Sequence, residues 1–383
     1  MRSCLVALAL LAAGCGPAPD GGFSTVRGGP EDDPTPPPSG GGTCDEEVRG
    51  SFLNVELESD PGQPWWTCDD LPADVAPECG CIDGYLGLPD ALPDAARPIT
   101  EAELEAELRG IDPMLDGSQP ATTALVAGPL TPEELGDQLL AANGTCALLE
   151  GMDERLLRVT VSRDEQFTEY RKRTLNFEDP LIGSFGGILL TPPGDGPFPG
   201  VVAMHGYGDE PEVFLDEYHG DWFPAAGYAI LTLGLRGMCV DEYEDLGART
   251  LLLSGFSVLG VRGYEAALGR KFLEWLPEVD PDRIGLIGHS TGSISGNVTV
   301  RTVPGFAAYV TDASDHYYAY FSFPLFADVM SPRTWPYNEL INDLTTSAVP
   351  ILQVGYGYGT LNEDDPCQPN ELPLIFDFFD EQL

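Results

Sequence analysis

The stretch RIGLIGHSTGS, residues 283–293, decides which fold we expect. Its first half is a short apolar run, which is typical of a strand buried on both faces of a sheet. Its second half places Gly288, Ser290 and Gly292 in the spacing Gly-x-Ser-x-Gly, and the helix-compatible run GSISGNVTV follows. A strand, a tight turn and a helix in this order present a serine hydroxyl at the carboxyl edge of a sheet. Ser290 is therefore the candidate nucleophile.

The sequence around this turn predicts an α/β fold with a mostly parallel sheet. From about residue 154, the runs LLRVTVSR and FTEYRKRTL alternate like antiparallel strands. Helix-like stretches, notably residues 259–276, separate most of the later short apolar runs, and this alternation favours a parallel sheet covered by helices. The apolar runs predicted as buried strands are FGGILLTP, PGVVAMHG, YAILTLGLRG, RIGLIGHS, FAAYVTDAS and VPILQVGYG.

The charge balance excludes several classes of partner. The chain has 383 residues with 19 basic and 62 acidic side chains, for a formal net charge of −43. Such a field repels nucleic-acid phosphates and anionic lipid headgroups, so we expect a small-molecule substrate and no nucleic-acid partner. Membrane contact is expected only through the N-terminus, and the sequence does not indicate an oligomeric state.

The N-terminal residues resemble an export signal. Arg2 is followed by the apolar run CLVALALLAAG, and the segment ends at LAAGC, a sequence similar to the lipobox of bacterial lipoproteins. This predicts a signal peptide over residues 1–15 with lipid on Cys15, and plain secretion is the alternative. The predicted location is the bacterial cell envelope, with the protein lipid-anchored, most simply in the outer membrane, or periplasmic or secreted.

Three further segments follow the signal. Residues 16–43 are dominated by Gly and Pro and are predicted to form a disordered tether. Residues 44–150 form an accessory region that carries most of the cysteines, with a predicted helix start at Thr131 and Pro132. Residues 151–383 form the predicted α/β domain.

Nine cysteines are present, and export favours disulfides among them. Without Cys4 and Cys15, seven remain, so one thiol is free or has its partner elsewhere. Cys239 and Cys367 lie on loops at the same predicted sheet edge and are candidates for a disulfide. The CGC pair alone is too weak a pattern for a metal site, so no metal and no cofactor are predicted.

A second motif precedes the serine turn. The run VVAMHGYGDEP places His205, Gly206 and Tyr207 at the end of a predicted buried strand. Glycines there allow the backbone to approach a bound ligand closely. We expect the backbone amides of Tyr207 and Thr291 to stabilise the negative charge that develops on a carbonyl oxygen under attack.

Residues ~154–383 resemble the α/β-hydrolase superfamily, and most closely its dienelactone hydrolase and acetyl xylan esterase branch. The resemblance rests on GPFPGVVAMHGYG, AAGYAILTLGLRG and VDPDRIGLIGHSTGS. It implies a Ser–acid–His triad in that chain order, which cleaves carboxylic esters through an acyl-enzyme. The prolyl-oligopeptidase catalytic domain shares some of these features, so a serine peptidase is a further alternative.

The acid of such a triad is expected after the strand VPILQVGYG. Asp365 and Pro369 match the Asp-x-x-x-Pro pattern of the superfamily, which makes Asp365 the candidate. Asp364 and Glu363 are close alternatives, and a solvated acidic loop is the interpretation without a catalytic role.

The base is where the match is incomplete. The superfamily histidine follows one more strand, whereas the sequence ends after the helix-like run NELPLIFDFFDEQL, so the fold is predicted without its last strand. His316 lies at the correct sheet edge and is the candidate base, with Asp312 or Asp315 to orient it. A residue packed among aromatic side chains in a lid is its alternative role. His219 is interpreted as a helix-surface residue.

These observations predict an exported serine hydrolase that cleaves carboxylic esters on Ser290. The alternative is a truncated or catalytically inactive hydrolase-fold lipoprotein that retains the cleft for binding. Residues 315–348, rich in Tyr, Phe and Pro, are expected to form a lid or substrate wall. The acyl and alcohol groups of the substrate are left open.

Overall fold

The fold is that of a computed structural model, which describes residues 55–59, 130–206, 209–236, 251, 255–312, 337, 340–341, 343–355 and 372–383. Within these residues the strands are β1 (Val55–Ser59), β2 (Leu157–Gln166), β3 (Arg171–Asp179), β4 (Gly183–Thr191), β5 (Phe198–Met204), β6 (Ala229–Leu233), β7 (Val279–His289), β8 (Tyr309–Asp312) and β9 (Ile351–Val354).

The helices of the described residues are α1 (Pro132–Asn143), α2 (Thr145–Leu149), α3 (Pro211–Asp216), α4 (Val258–Trp275), α5 (Thr291–Thr302) and α6 (Leu372–Gln382). Short 3-10 helices cover Met152–Glu154, Gly220–Trp222 and Leu344–Thr346. Among the described residues, no helix combines the length and apolar character needed to cross a bilayer.

The strands form one sheet in the order β1-β2-β3-β4-β6-β5-β7-β8-β9. β2, β3, β4 and β6 pair antiparallel in succession. From β6 across β5, β7, β8 and β9 every pairing is parallel. Parallel strands end at a common edge, so the last residues of β5, β7 and β8 lie side by side there.

Helices cover both faces of the sheet, because its central strands are apolar on both sides. On β5, Val202 and Met204 belong to a core that also contains residues of α1, α4 and α5. The intervening Val201 and Ala203 belong to the opposite core, with residues of α3 and α6. The period of two along a strand therefore decides which helices each side chain meets. The predicted α/β fold with a mostly parallel sheet is confirmed.

The described parts of the segment 44–150 are built into this sheet and core. β1 pairs parallel with β2 at the edge of the sheet, and Leu135, Leu139 and Leu148 are fully buried in the main core. Helix α1 begins with the predicted capping box, in which Thr131 and Glu134 satisfy each other's backbone N–H groups. Cys146 on α2 is disulfide-bonded.

Candidate active site

The serine turn is the junction between β7 and α5. Ser290 has φ 52° and ψ −119°, which is a backbone conformation that few non-glycine residues adopt. Holding a residue there costs about 1–3 kcal/mol, which the surrounding structure must offset. The strand, the strained serine and the helix reproduce the nucleophile elbow predicted from the sequence.

Gly292 and Gly206 allow the elbow to approach the end of β5. A Cβ on Gly292 would collide with the carbonyl oxygen of Met204 and would lie 2.5 Å from that of His205. A Cβ on Gly206 would lie 3.3 Å from the Cβ of Ser290 and 3.1 Å from Cδ2 of His289. Gly292 therefore requires the absence of a side chain, since real Cβ atoms essentially never come so close to backbone atoms, whereas a Cβ on Gly206 would crowd the side chains of Asp209, His289 and Ser290.

Asp312, the last residue of β8, holds the elbow from the other side. Its backbone oxygen accepts a hydrogen bond from the Ser290 N–H at 3.0 Å and another from the Ser293 hydroxyl at 2.6 Å. The backbone N–H of Asp312 donates in turn to the hydroxyl oxygen of Ser293 at 3.0 Å. These bonds fix Ser290, through its backbone, and Ser293, through its hydroxyl, to the neighbouring strand.

The side chain of Asp312 binds His289. Nδ1 of His289 lies 2.6 Å from Oδ2 of Asp312, and both side chains are buried. The two residues are register partners of β7 and β8, so their side chains leave the sheet on the same face. No role for the His289 side chain is predicted from the sequence, yet the structure pairs it with a carboxylate directly beside Ser290.

Tyr218 and Asp209 extend this pair toward the loop that follows β5. The ring of Tyr218 stacks on that of His289, with centroids 3.9 Å apart and planes 30° apart. Its hydroxyl donates to the Asp209 carboxylate, which also accepts the backbone N–H of Gly206. Burial raises the pKa of Asp209, and burial with the nearby carboxylate raises that of Tyr218 above its ordinary value.

His205 has its side chain committed to backbone groups. Nδ1 lies 2.8 Å from the Gly206 oxygen, and Nε2 accepts the N–H of Leu235 at 3.1 Å. Burial lowers the pKa of His205 to about 4, so the ring is neutral near pH 7. Its role is to hold the start of the loop after β5, as its place in the motif predicts.

One of the two predicted oxyanion donors lies within the described residues. Thr291 is the first residue of α5, where a backbone N–H has no partner within the helix and the helix dipole favours negative charge. Thr291 is also fully buried. The second expected donor, Tyr207, falls outside the described residues.

Several other predicted sites also fall outside the described residues. They are the candidate acid Asp365 with its alternatives Glu363 and Asp364, the candidate base His316 with Asp315, the lipidation site Cys15, and the candidate disulfide of Cys239 and Cys367. Asp312, proposed from the sequence as one of two partners for His316, contacts His289 through Oδ2, and its pairing with His316 stays a prediction because His316 lies outside the described residues. Among the described residues, no group of three or more potential metal ligands occurs.

His219 differs from its predicted place on a helix surface. Helix α3 ends at Asp216, and His219 has a left-handed φ of 56° immediately before the 3-10 helix Gly220–Trp222. Its ring lies against Trp222, with centroids 5.0 Å apart. Neither of the two residues before it, Glu217 and Tyr218, is a glycine or proline that would have indicated a turn there.

Buried acids around the site predict a particular pH dependence of stability. Burial raises the pKa values of Asp209, Glu212 and Glu265 above their ordinary values. At these three acids the folded chain binds more protons than the unfolded chain above about pH 4, so their contribution to stability declines as pH rises through the raised pKa values. The lowered pKa of His205 acts in the opposite direction between about pH 4 and its ordinary value. We therefore expect the thermal midpoint of the wild type to fall more, or rise less, from about pH 5 to about pH 8 than that of a variant in which one of the acids no longer titrates.

Calorimetry of the wild type and of Asp209→Asn at both pH values would measure this effect. The amide no longer titrates, so the variant should lack the part of the decline that Asp209 contributes, while the contribution of His205 is the same in both proteins. Repeating the scans in high salt screens the repulsion among exposed carboxylates and leaves the buried contribution. A wild-type midpoint that changes from pH 5 to pH 8 by as much as that of Asp209→Asn, and in the same direction, would contradict the expectation.

Comparison with known proteins gives a short sequence match and several distant structural likenesses. No protein-family model matches the chain. The mitochondrial acyl-coenzyme A thioesterase 2 of Homo sapiens is 33% identical over 115 residues, which is 30% of this chain and 20% of that protein. The chain thus matches only a fifth of that relative's length.

The solved structures that the chain resembles include esterases and a dienelactone hydrolase. The acetyl xylan esterase from Paenibacillus sp. R4 is 15% identical with a TM-score of 0.47, and covers 71% of this chain and 99% of its own. Acetyl xylan esterase 1 from Thermoanaerobacterium sp. is 14% identical with a TM-score of 0.46, and the match covers 68% of this chain and 97% of that one. Dienelactone hydrolase from Anabaena variabilis is 18% identical with a TM-score of 0.36, and the match covers 59% of this chain and 99% of that one. The α/β architecture of this chain is defined by its own sheet order and by the strained turn at Ser290.

Proposed function

We propose that the chain is a serine hydrolase that cleaves small carboxylic esters through an acyl-enzyme on Ser290. The observation that carries the proposal is the strained serine at the junction of β7 and α5, beside a glycine loop and a helix N-terminus. In the first step the Ser290 oxygen attacks the ester carbonyl, its proton passes to a base, and the alcohol leaves. Water then releases the acid by the same route.

The base and the acid of this mechanism are also proposals. His316 comes after β8 in the sequence and Asp365 after β9, and the parallel strands β7, β8 and β9 end at one edge of the sheet, which supports both assignments. Tyr207 and Thr291 supply the proposed oxyanion donors through their backbone amides. Loss of a general base usually costs about 10²–10⁴ in rate, which is the loss proposed for His316→Ala.

The net charge favours a neutral ester as the substrate. Thioesters of coenzyme A are the alternative suggested by the sequence match to a thioesterase. Coenzyme A carries several phosphates, and a chain with a formal charge of −43 repels such a ligand at low ionic strength. A preference for p-nitrophenyl acetate over acetyl-coenzyme A that narrows as salt is added supports the neutral substrate.

Labelling of the nucleophile is the direct test of the proposal. A fluorophosphonate reacts only with a serine whose hydroxyl is activated, so mass spectrometry of the digested adduct should place the phosphonyl group on Ser290. An ester substrate added with the reagent should also slow the labelling, because both would react with the same serine. A folded wild type that neither reacts nor hydrolyses esters would overturn the proposal and favour the binding lipoprotein. A label on another serine would overturn the assignment of Ser290.

Export with lipid on Cys15 is proposed from the N-terminal sequence. The basic residue, apolar run and LAAGC end support it, together with the tether of Gly and Pro that would separate an anchor from the folded domain. Incorporation of labelled palmitate into the wild type but not into Cys15→Ser tests the anchor, and a soluble mature chain that lacks lipid would favour plain secretion.

A further inference from the structure

Four side chains beside the elbow form a continuous path between the nucleophile and the loop after β5. The path runs from the Gly206 N–H to the Asp209 carboxylate, and from there to the Tyr218 hydroxyl. It continues through the stacked rings of Tyr218 and His289 to Asp312, whose backbone oxygen accepts the Ser290 N–H. We call Asp209, Tyr218, His289 and Asp312 the elbow brace.

The His289 ring occupies the centre of this path. Nδ1 donates to Asp312, while Cδ2 on the opposite edge of the ring lies 3.1 Å from the position of a Cβ on Gly206. The Ser290 Cβ lies 3.3 Å from that same position. The ring therefore fills the space between β8, Ser290 and Gly206.

We propose that His289, oriented by Asp312 and Tyr218, is a positioning residue that sets the loop after β5 against Ser290. The proposal rests on the proposed function and adds to it a second histidine–carboxylate pair, which acts through the oxyanion donors and not on the serine proton. The first described part of this loop ends at Gly206, directly before Tyr207, whose amide is the oxyanion donor already proposed on this side of Ser290.

The energetic consequence follows from how closely an oxyanion donor must be placed. A displacement of about 1 Å in an active site can lower the rate 10²-fold, because the donor no longer reaches the charge that develops in the transition state. Binding of the ground-state ester depends much less on that donor. A positioning role therefore lowers kcat and leaves KM nearly unchanged.

The test compares His289→Asn with the wild type. The asparagine amide nitrogen can take the place of Nδ1 and keep the bond to Asp312, but the rest of the ring is lost. We expect kcat for p-nitrophenyl acetate to fall about 10²-fold with KM little changed. The inhibition constant of a trifluoromethyl ketone, whose adduct with serine carries an oxyanion, should rise by a similar factor.

Two further variants separate positioning from stability. Tyr218→Phe keeps the ring stack and removes only the hydroxyl that reaches Asp209, so it should show a smaller loss in the same direction. His219→Asn is the matched control, because it makes the same substitution at a histidine whose ring lies tilted against that of Trp222, at a left-handed φ that asparagine tolerates. It should leave kcat and the inhibition constant unchanged.

All rates are normalised to the fraction of molecules that a fluorophosphonate titrates, and thermal midpoints are measured for each variant. A merely structural role would lower the titrated fraction or the midpoint and leave the normalised ketone affinity as in the wild type, which would overturn the inference alone. An inert, unlabelled wild type would overturn the proposed function and the inference with it.

Discussion

Ser290→Ala is expected to lower kcat for p-nitrophenyl acetate by about 10⁴-fold or more, since loss of the nucleophile removes the acyl-enzyme route entirely. The fold should be retained. Two backbone hydrogen bonds fix the elbow: the Ser290 N–H donates to the Asp312 carbonyl oxygen, and the Ser290 carbonyl oxygen accepts the Ser293 N–H at 2.9 Å. Alanine keeps both bonds, because neither uses the serine hydroxyl. Steady-state kinetics and thermal unfolding of the purified variant measure the two quantities separately.

Ser162→Ala is the matched control for this change. Ser162 lies on β2 toward the other edge of the sheet and donates its hydroxyl hydrogen bond to the Thr174 oxygen at 3.2 Å. It should keep wild-type kcat and lose only a little stability. If Ser290→Ala hydrolyses the ester as fast as Ser162→Ala does, another group is the nucleophile.

Gly292→Ala is expected to lower the free energy of unfolding by about 3 kcal/mol or more and to abolish activity. The added methyl group would meet the carbonyl oxygens of Met204 and His205, and neither can rotate away because both belong to the backbone at the end of β5. Helix α5 must then move away from β5, which displaces Ser290 and Thr291 from the loop. Denaturant unfolding of the variant would measure the loss of stability.

Gly263→Ala provides the comparison within another buried helix. Its added Cβ would lie 3.3 Å from the Thr299 hydroxyl oxygen, a side-chain atom that can shift. Alanine is also about 1 kcal/mol more favourable than glycine inside a helix, so the net change should be within about 1 kcal/mol. Equal stability of the two variants would mean that α5 and β5 are not packed as closely as the structure has them.

The fold and the elbow were predictable because each depends on a local pattern. The predicted strands of residues 154–357 all occur, with boundaries that differ by a few residues, and the predicted helix 259–276 is α4 at Val258–Trp275. Apolar runs, caps and glycine spacing are readable in a single sequence. Strand β1 was missed because VELES, with its two glutamates, lacks the apolar character of the other strands and depends on pairing with β2.

The pair of His289 and Asp312 was missed for a different reason. It depends on the register of two parallel strands whose pairing residues are far apart in sequence, and no local pattern fixes that register. A signal was nevertheless present. Both residues stand at the ends of consecutive predicted strands, and the period of two places them on the face of Ile287 and Val310. Only the three-dimensional pairing converts that coincidence into a contact.

The edge position of β1 has a consequence for the order in which the chain folds. β3 and β4 pair from Asp179 with Gly183 outward, so they can form a hairpin as soon as they are synthesised. β1 is made first but pairs with β2, beginning at Val55 with Leu157, and closing so long a loop is slow. We therefore expect β1, although it is synthesised before the other described strands, to join the sheet only after strands that are synthesised later have paired.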